Sequence, residues 1–341
     1  MNSIAEKFIR KETLPFIFCP GCGHGIVVNS FIRAIDELGV QKNEMACVGG
    51  IGCSSWAPVY LDFDCLHCLH GRAIPHAEGL KAVNPDKQIV VFSGDGDCLG
   101  IGGNHLIHAA KRNIDLTVLM MSNYIYGMTG GQKAPTTPYQ ATTKTSPLGN
   151  EEHPFDVQSV VVGSGATFYA RCCATHPIQM KEAIKAGLRH KGFSFIEILS
   201  PCPTTAGRNI FNFKSPQETM DWYRSQVYLL GKDAKPDPAE TRIPLGILHV
   251  DESRDELTDD IIFFWVARMI FSSLEKITID SVYCKGCLLC VGVCKKGVLA
   301  LGAERSKGGY LMPYAKEPDN CIACKLCEIT CPDVCIEVTK D

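Results

Sequence analysis

No stretch of this chain is both long and apolar enough to cross a bilayer. The longest apolar run, Ile261 to Leu274, is interrupted by Arg268 and falls short of the roughly 20 residues that a spanning helix needs. It reads as a buried or partner-facing helix. Met1 to Arg10 lacks the apolar core of a secretory signal, so a cytoplasmic location is expected. A surplus of either charge is also missing: 34 basic and 37 acidic side chains give a net charge of -3, which argues against nucleic acid or an anionic membrane surface as the main partner. What remains is a globular composition, 45% apolar and 21% charged, over 341 residues, a length that suggests about two domains.

Cysteine, by contrast, is abundant. Nineteen cysteines in a chain with no secretory signal point to metal clusters before disulfides, and they are grouped, not scattered. The first group is Phe18-Cys19-Pro20-Gly21-Cys22-Gly23-His24, a tight turn that presents two thiolates and backbone N–H groups. Alone it would equally serve as half a zinc site or a redox dithiol. Two further ligands are needed, and Cys53 and Cys202, each in a glycine- or proline-shaped turn after a strand-like run, are the candidates. Cys65 and Cys68 form a rival pair that spacing does not exclude. For Cys47, Cys98, Cys172, Cys173 and Cys335, buried packing as small apolar residues is the default.

The organising stretch runs from Gly94-Asp95-Gly96-Asp97 to Asn123-Tyr124-Ile125-Tyr126-Gly127. Gln88 to Phe92 reads as a buried strand, Leu99 to Arg112 as a helix and Leu116 to Met121 as the next strand. Asp95 and Asn123 then sit at the C-terminal edges of adjacent parallel strands, where open α/β sheets bind ligands. The Asp95 carboxylate, the Asn123 amide oxygen and the Ile125 carbonyl are three hard oxygens, and phosphate oxygens would complete an octahedron around Mg2+. Gly94, Gly96 and Gly127 allow close approach of a phosphate, and a helix starting after Asp97 would aim N–H groups at it. This spacing resembles the thiamine diphosphate motif; an ordinary tight turn capped by Asp is the plainer alternative.

Around this stretch, Leu69-His70-Gly71-Arg72 is a turn that would bring an imidazole near a polyphosphate, with a structural histidine as the equal alternative. Ala134 to Pro147, rich in Pro and Thr, reads as a long loop over the site. Ser159 to Val162, Ala166 to Ala170, a helix from Ile178 to His190 and a strand from Phe193 to Leu199 return to βα alternation. Gly231 to Leu245 is a composition break and reads as a linker. Asp251 to Asp260 reads as a solvated acidic face.

Near the C-terminus, Cys284-x2-Cys287-x2-Cys290-x3-Cys294 and Cys321-x2-Cys324-x2-Cys327-x3-Cys331-Pro332 are two copies of the two-cluster ferredoxin run. In such a run the fourth cysteine ligates the other cluster. One 4Fe-4S cluster therefore takes Cys284, Cys287, Cys290 and Cys331, and the other takes Cys321, Cys324, Cys327 and Cys294. Lys295 stands where the first run would carry its proline.

Taken together, Cys19-Pro-Gly-Cys-Gly-His24, Ile51-Gly-Cys-Ser54, His70-Gly-Arg72, Gly94-Asp-Gly-Asp97, Gly102-Gly-Asn-His105 and Asn123-x-Ile-Tyr-Gly-Met-Thr-Gly-Gly-Gln132 resemble the β subunit of 2-oxoacid:ferredoxin oxidoreductases over residues 12 to 250. The C-terminal part resembles their δ, ferredoxin-type subunit, here fused. The resemblance implies a thiamine diphosphate-binding, doubly wound, mostly parallel α/β sheet (1–230), a linker and docking helix (231–275) and a small α+β two-cluster ferredoxin domain (276–341). It implies magnesium at Asp95, Asn123 and Ile125, and a proximal 4Fe-4S cluster on Cys19, Cys22, Cys53 and Cys202. Because the family usually has Thr at positions 65 and 68, it makes that pair incidental. Cofactor contacts would come from Ile51, Gly52, Cys53, Ser54, His70, Gly94, Gly96, Asp97, Gly127 and Met128, with His70 and Asp97 in the catalytic roles.

The activity implied is thiamine-dependent oxidative decarboxylation of a 2-oxoacid to acyl-CoA and CO2, reversible with low-potential ferredoxin. Three 4Fe-4S clusters would carry electrons to ferredoxin or an electron-accepting subunit. The glutamate that activates thiamine belongs in this family to a separate pyrimidine-binding domain, which this chain lacks. An α-type partner, with or without a γ-type subunit, is expected to complete the site and much of the coenzyme A site. Trp56 stands where the family often carries a basic residue, which favours an apolar 2-oxoacid over 2-oxoglutarate. The alternative is an electron-transfer or scaffold subunit with a non-catalytic thiamine-type domain; use of the same sheet for another diphosphate is a weaker third.

Overall fold

Short runs of β-branched and apolar residues become the centre of a sheet because their alternate side chains are buried on both faces. The computed structural model describes residues 3–231, 234–258 and 277–339. Its strands are β1 (Met45–Gly49), β2 (Asp64–His67), β3 (Gln88–Gly94), β4 (Thr117–Ser122), a small hairpin of β5 (Ile125–Tyr126) and β6 (Gln132–Lys133), then β7 (Phe168–Cys173), β8 (Ser194–Leu199), β9 (Val227–Leu229) and β10 (Ile243–Val250). The eight-stranded sheet has the order β2-β1-β3-β4-β8-β7-β10-β9. Its neighbours are parallel except β7 and β10. Val90 and Phe92 pack on one side with the helices Gly23–Leu38 and Pro177–Arg189. Ile89 and Val91 pack on the other with the helices Ala73–Val83, Gly103–Arg112 and Val157–Gly163. This is the doubly wound α/β architecture, with β3 and β4 side by side at its middle.

Three local expectations change. Ser159 to Val162 is helical, within Val157–Gly163, because the Asp156 side chain caps the turn by accepting from the Ser159 N–H at 3.2 Å; this local capping outweighs the strand preference of three valines. The segment after Asp95 opens with a π-helical turn, Gly96–Ile101, before the α-helix Gly103–Arg112, a wide turn of the kind found at functional sites. The stretch expected as a linker is part of the sheet from Ile243 onward, where Pro244 pairs with Tyr228 and Gly246 to Val250 pair with β7. The α/β unit therefore extends past residue 230, and Cα packing divides the chain into Met1–Ile261 and Ile262–Asp341. The apolar run from Ile261 to Leu274 lies outside the described residues. Among those described, no helix is long and apolar enough to cross a membrane.

The C-terminal unit is built from two similar halves. β11 (Ile277–Ile279) pairs antiparallel with β14 (Ile336–Val338), and β12 (Leu299–Arg305) with β13 (Leu311–Ala315). Each cysteine run carries one short helix, Leu289–Val293 or Leu326–Thr330, entered through a left-handed residue, Leu288 or Lys325. Its small core joins Ile277, Val298, Leu299, Ile336 and Val338 to Cys290 and Cys327.

Candidate functional site: a carboxylate–amide cleft beside four cysteines

The parallel strands deliver Asp95 and Asn123 to one narrow cleft, as the βαβ pattern requires. It is lined by Ile51, Gly52, Cys53, Ser54, His70, Gly94, Gly96 and Asp97, and by Asn123, Ile125, Gly127 and Met128. Asp95 is only 2% exposed. Its carboxylate accepts from the Gly96 N–H at 3.0 Å, the Tyr124 N–H at 2.9 Å and the Thr136 hydroxyl. Burial pushes its pKa up from the usual carboxylate value to about 6, against the lowering effect of these donors. A buried carboxylate held so close to neutrality, with an amide beside it and no lysine or arginine lining the cleft, suits a bound divalent cation. The hard oxygen donors fit Mg2+, and the glycines leave the backbone bare for a diphosphate.

Asp97 holds the cleft together. It is 3% exposed, and its Oδ1 accepts from His70 Nδ1 and the Gly71 N–H, each at 2.7 Å, and from the Ile51 N–H at 3.2 Å. Oδ2 accepts from the Ser93 hydroxyl at 2.6 Å. One carboxylate thus ties together three loops that are distant in sequence. Because a carboxylate accepts, His70 carries its proton on Nδ1 and offers Nε2 as an acceptor. Gly71 is obligatory in this arrangement: its φ is +69°, and a Cβ would lie 2.6 Å from Ile101.

Sequence reading did not single out Thr136, Ser93 or Tyr126. Thr136 reaches Asp95 from the long loop, which Asn150 pins by donating from Nδ2 to the carbonyls of Thr137 and Glu152 at 2.9 and 2.8 Å. The Tyr126 hydroxyl donates to the Gly96 carbonyl at 3.0 Å. A Pro- and Thr-rich composition signalled the loop, but nothing local signalled which threonine faces the carboxylate.

Cys19, Cys22, Cys53 and Cys202 come together. Burial pushes the Cys22 thiol up to about 12, and the sulfurs of Cys202, Cys53 and Cys19 add to it. Burial also pushes Cys53 up to about 11, with Cys202 and Cys19 adding. Thr204 donates to Cys19 Sγ at 3.3 Å. The two loops are stitched by the Gly23 N–H, which donates to the Pro201 carbonyl at 2.9 Å; a Cβ on Gly23 would lie 2.6 Å from Ser200 Oγ. As thiolates these sulfurs would repel one another, and iron taking the place of their protons would offset that charge, so the four residues fit a cluster. Cys53 also lines the carboxylate–amide cleft. His24, whose Nδ1 shares a 2.6 Å hydrogen bond with Ser200 Oγ, lines it too, and burial lowers its pKa to about 4, leaving it neutral.

The rival pair goes elsewhere. Cys65 lies opposite Cys47 across β1 and β2 and donates to the Pro58 carbonyl at 2.9 Å, while Cys68 is buried in the core. In the C-terminal unit, Cys290 senses Cys287, Cys331 and Cys284, and Cys327 senses Cys294 and Cys321. These groupings follow the crossed pattern of the two runs and fit two clusters.

Residues 50–198 match the family described as thiamine pyrophosphate enzyme, C-terminal TPP binding domain. The 2-oxoglutarate synthase subunit KorB of Methanothermobacter marburgensis is 48% identical over 256 residues, covering 75% of this chain and 90% of that one. The 2-oxoacid:ferredoxin oxidoreductase 2 subunit beta of Aeropyrum pernix is 38% identical over 278 residues, covering 75% and 87%. Among solved structures, the 2-oxoglutarate:ferredoxin oxidoreductase from Magnetococcus marinus with 2-oxoglutarate, coenzyme A and succinyl-CoA bound superposes with a TM-score of 0.70. It is 32% identical and covers 80% of this chain and 96% of that one.

Proposed function

Since the chain belongs to the β subunits of the 2-oxoacid:ferredoxin oxidoreductases, we propose that its cleft binds thiamine diphosphate and Mg2+ and that the adjoining cysteines carry a 4Fe-4S cluster. Asp95, Asn123 and the Ile125 carbonyl hold the metal. Cys19, Cys22, Cys53 and Cys202 hold the proximal cluster, and the C-terminal unit is a fused ferredoxin domain with two more. Bound thiamine diphosphate supplies the electron sink for decarboxylating a 2-oxoacid, and the clusters accept electrons singly.

The chain's own residues prepare that chemistry. Asp97 fixes the tautomer of His70, so that Nε2 can hold or release a proton at the cofactor. Cys53 carries the reading: it is at once a wall of the cofactor cleft and one of the four converging cysteines, so a cluster held there would stand beside the bound cofactor and could accept its electrons. An α-type subunit supplies the activating carboxylate and closes the cleft; electrons go on to ferredoxin or an electron-accepting subunit.

The names of the relatives favour 2-oxoglutarate as substrate, with coenzyme A as acyl acceptor. A second reading, an aliphatic or aromatic 2-oxoacid, rests on Trp56 in place of a base. That indole is half-buried beside Tyr60, with ring centroids 6.4 Å apart, and does not line the cleft, which weakens it. The test is anaerobic kcat/KM with the co-purified partner and coenzyme A, comparing 2-oxoglutarate with 2-oxoisovalerate and phenylpyruvate. 2-Oxoglutarate is expected to lead. The opposite ranking restores the Trp56 reading, and no coenzyme A-dependent electron transfer with any 2-oxoacid leaves only a scaffold role.

A further inference from the structure

Cys335 belongs to neither ferredoxin run, yet it lines the same small pocket as Cys284, Cys287, Cys290 and Cys331. It is 8% exposed. Its sulfur lies 3.5 Å from Cys331 Sγ, its backbone N–H donates to the same sulfur at 3.5 Å, and Cys284 faces its thiol. The other run offers an internal control. Four residues after Cys294 stands Val298, whose N–H donates to Cys294 Sγ at 3.4 Å. At this position the two backbones treat the fourth cysteines alike, while one site carries a thiol where the other carries a valine side chain.

This contrast deepens the ferredoxin reading and rests on it. When Cys331 ligates iron it is a thiolate and can only accept, so the S–H of the 3.5 Å pair belongs to Cys335. A hydrogen bond to a ligand sulfur draws off negative charge and favours the reduced cluster, which holds one more electron. We infer that Cys335 is a positioning residue that raises the reduction potential of the Cys284, Cys287, Cys290 and Cys331 cluster through an S–H donor that its sister cluster lacks. Reduction adds one electron to the cluster, and the thiol keeps its proton. Lys295 and Lys296 follow Cys294 where Pro332 and Asp333 follow Cys331, so Cys335 accounts for a shift within one cluster and not for the ranking of the two.

The experiment is a potentiometric titration, followed by electron paramagnetic resonance, of the full chain with its partner and loaded with iron. Cys335→Val is expected to lower one cluster potential and leave the others in place, Cys335→Ser to restore it through an O–H donor, and Val298→Cys to raise the sister potential. Unchanged potentials in iron-replete Cys335→Val would overturn the inference, as would a Cys335→Ser potential that falls as far as the valine variant. Should Cys335→Val not assemble, the Cys335→Ser and Val298→Cys shifts decide. The underlying reading fails separately: iron content unaffected by Cys290→Ala and Cys327→Ala would remove the clusters themselves.

Discussion

The α/β unit and the C-terminal unit gather cysteines by opposite means. In the C-terminal unit the cysteines arrive in two local runs, each folded around a five-residue helix, and the fourth cysteine of each run groups with the other. In the α/β unit, Cys19, Cys22, Cys53 and Cys202 are brought together by the sheet and by stitches such as Gly23 N–H to Pro201 O. A local site tolerates damage elsewhere in the fold. A site assembled by tertiary structure fails with its scaffold but can be shared, as Cys53 stands both among those four cysteines and in the wall of the cleft.

That difference is breakable by mutation. The largest effect is expected from Cys53→Ala, which should remove the proximal cluster and bring ferredoxin reduction to background. Cys290→Ala should cost about four irons yet leave decarboxylation with a small dye acceptor near wild type. Equal losses of dye-linked turnover in both variants would mean that the two sites are not separate stages.

A smaller effect is expected at Asp97. Asp97→Ala strands four donors, at Ile51, His70, Gly71 and Ser93, of which the Gly71 and Ser93 hydrogen bonds are buried, and should destabilise the chain by about 3 kcal/mol. In the C-terminal unit, Asp333→Ala breaks only the 2.5 Å pair with a largely exposed Lys285 and should cost less than about 1 kcal/mol. Urea midpoints for the two variants check this, and similar shifts would remove Asp97 from its organising role.

The smallest effect is one of pH. With its folded pKa raised to about 6, Asp95 favours the metal-free fold most below the ordinary carboxylate value of 3.8, and that contribution is lost as pH rises through about 6. Magnesium needs the ionised form, so its affinity should fall as pH drops below about 6 and level off above it. Calorimetric titration between pH 5 and 8 measures this; a constant affinity across that range would show that Asp95 does not ligate.

Strands β3, β4, β7 and β8 and the placement of Asp95 and Asn123 were legible because each is written in local spacing. The β10 strand was hidden by Pro244 and by the run of prolines before it, since its support comes from β7 and β9 and not from its own pattern. Val157–Gly163 was hidden by its valines, with the decisive signal in Asp156 just upstream. Thr136 and Ser93 carry no local signature at all: their hydroxyls matter only once the long loop and the edge of β3 are folded over the two aspartates. Cys335 read as packing because it stands outside both runs, and only its closeness to Cys331 gives it another role.

On the proposed reading, one chain carries a thiamine cleft, a proximal cluster sharing Cys53 with it, and two further clusters. Anaerobic purification with whatever co-purifies, followed by iron, sulfide and thiamine diphosphate analysis per chain, tests it most directly. About twelve irons, one thiamine diphosphate and a second polypeptide are expected. About eight irons without thiamine would contradict it, leaving the C-terminal clusters alone and the α/β cleft without its cofactor.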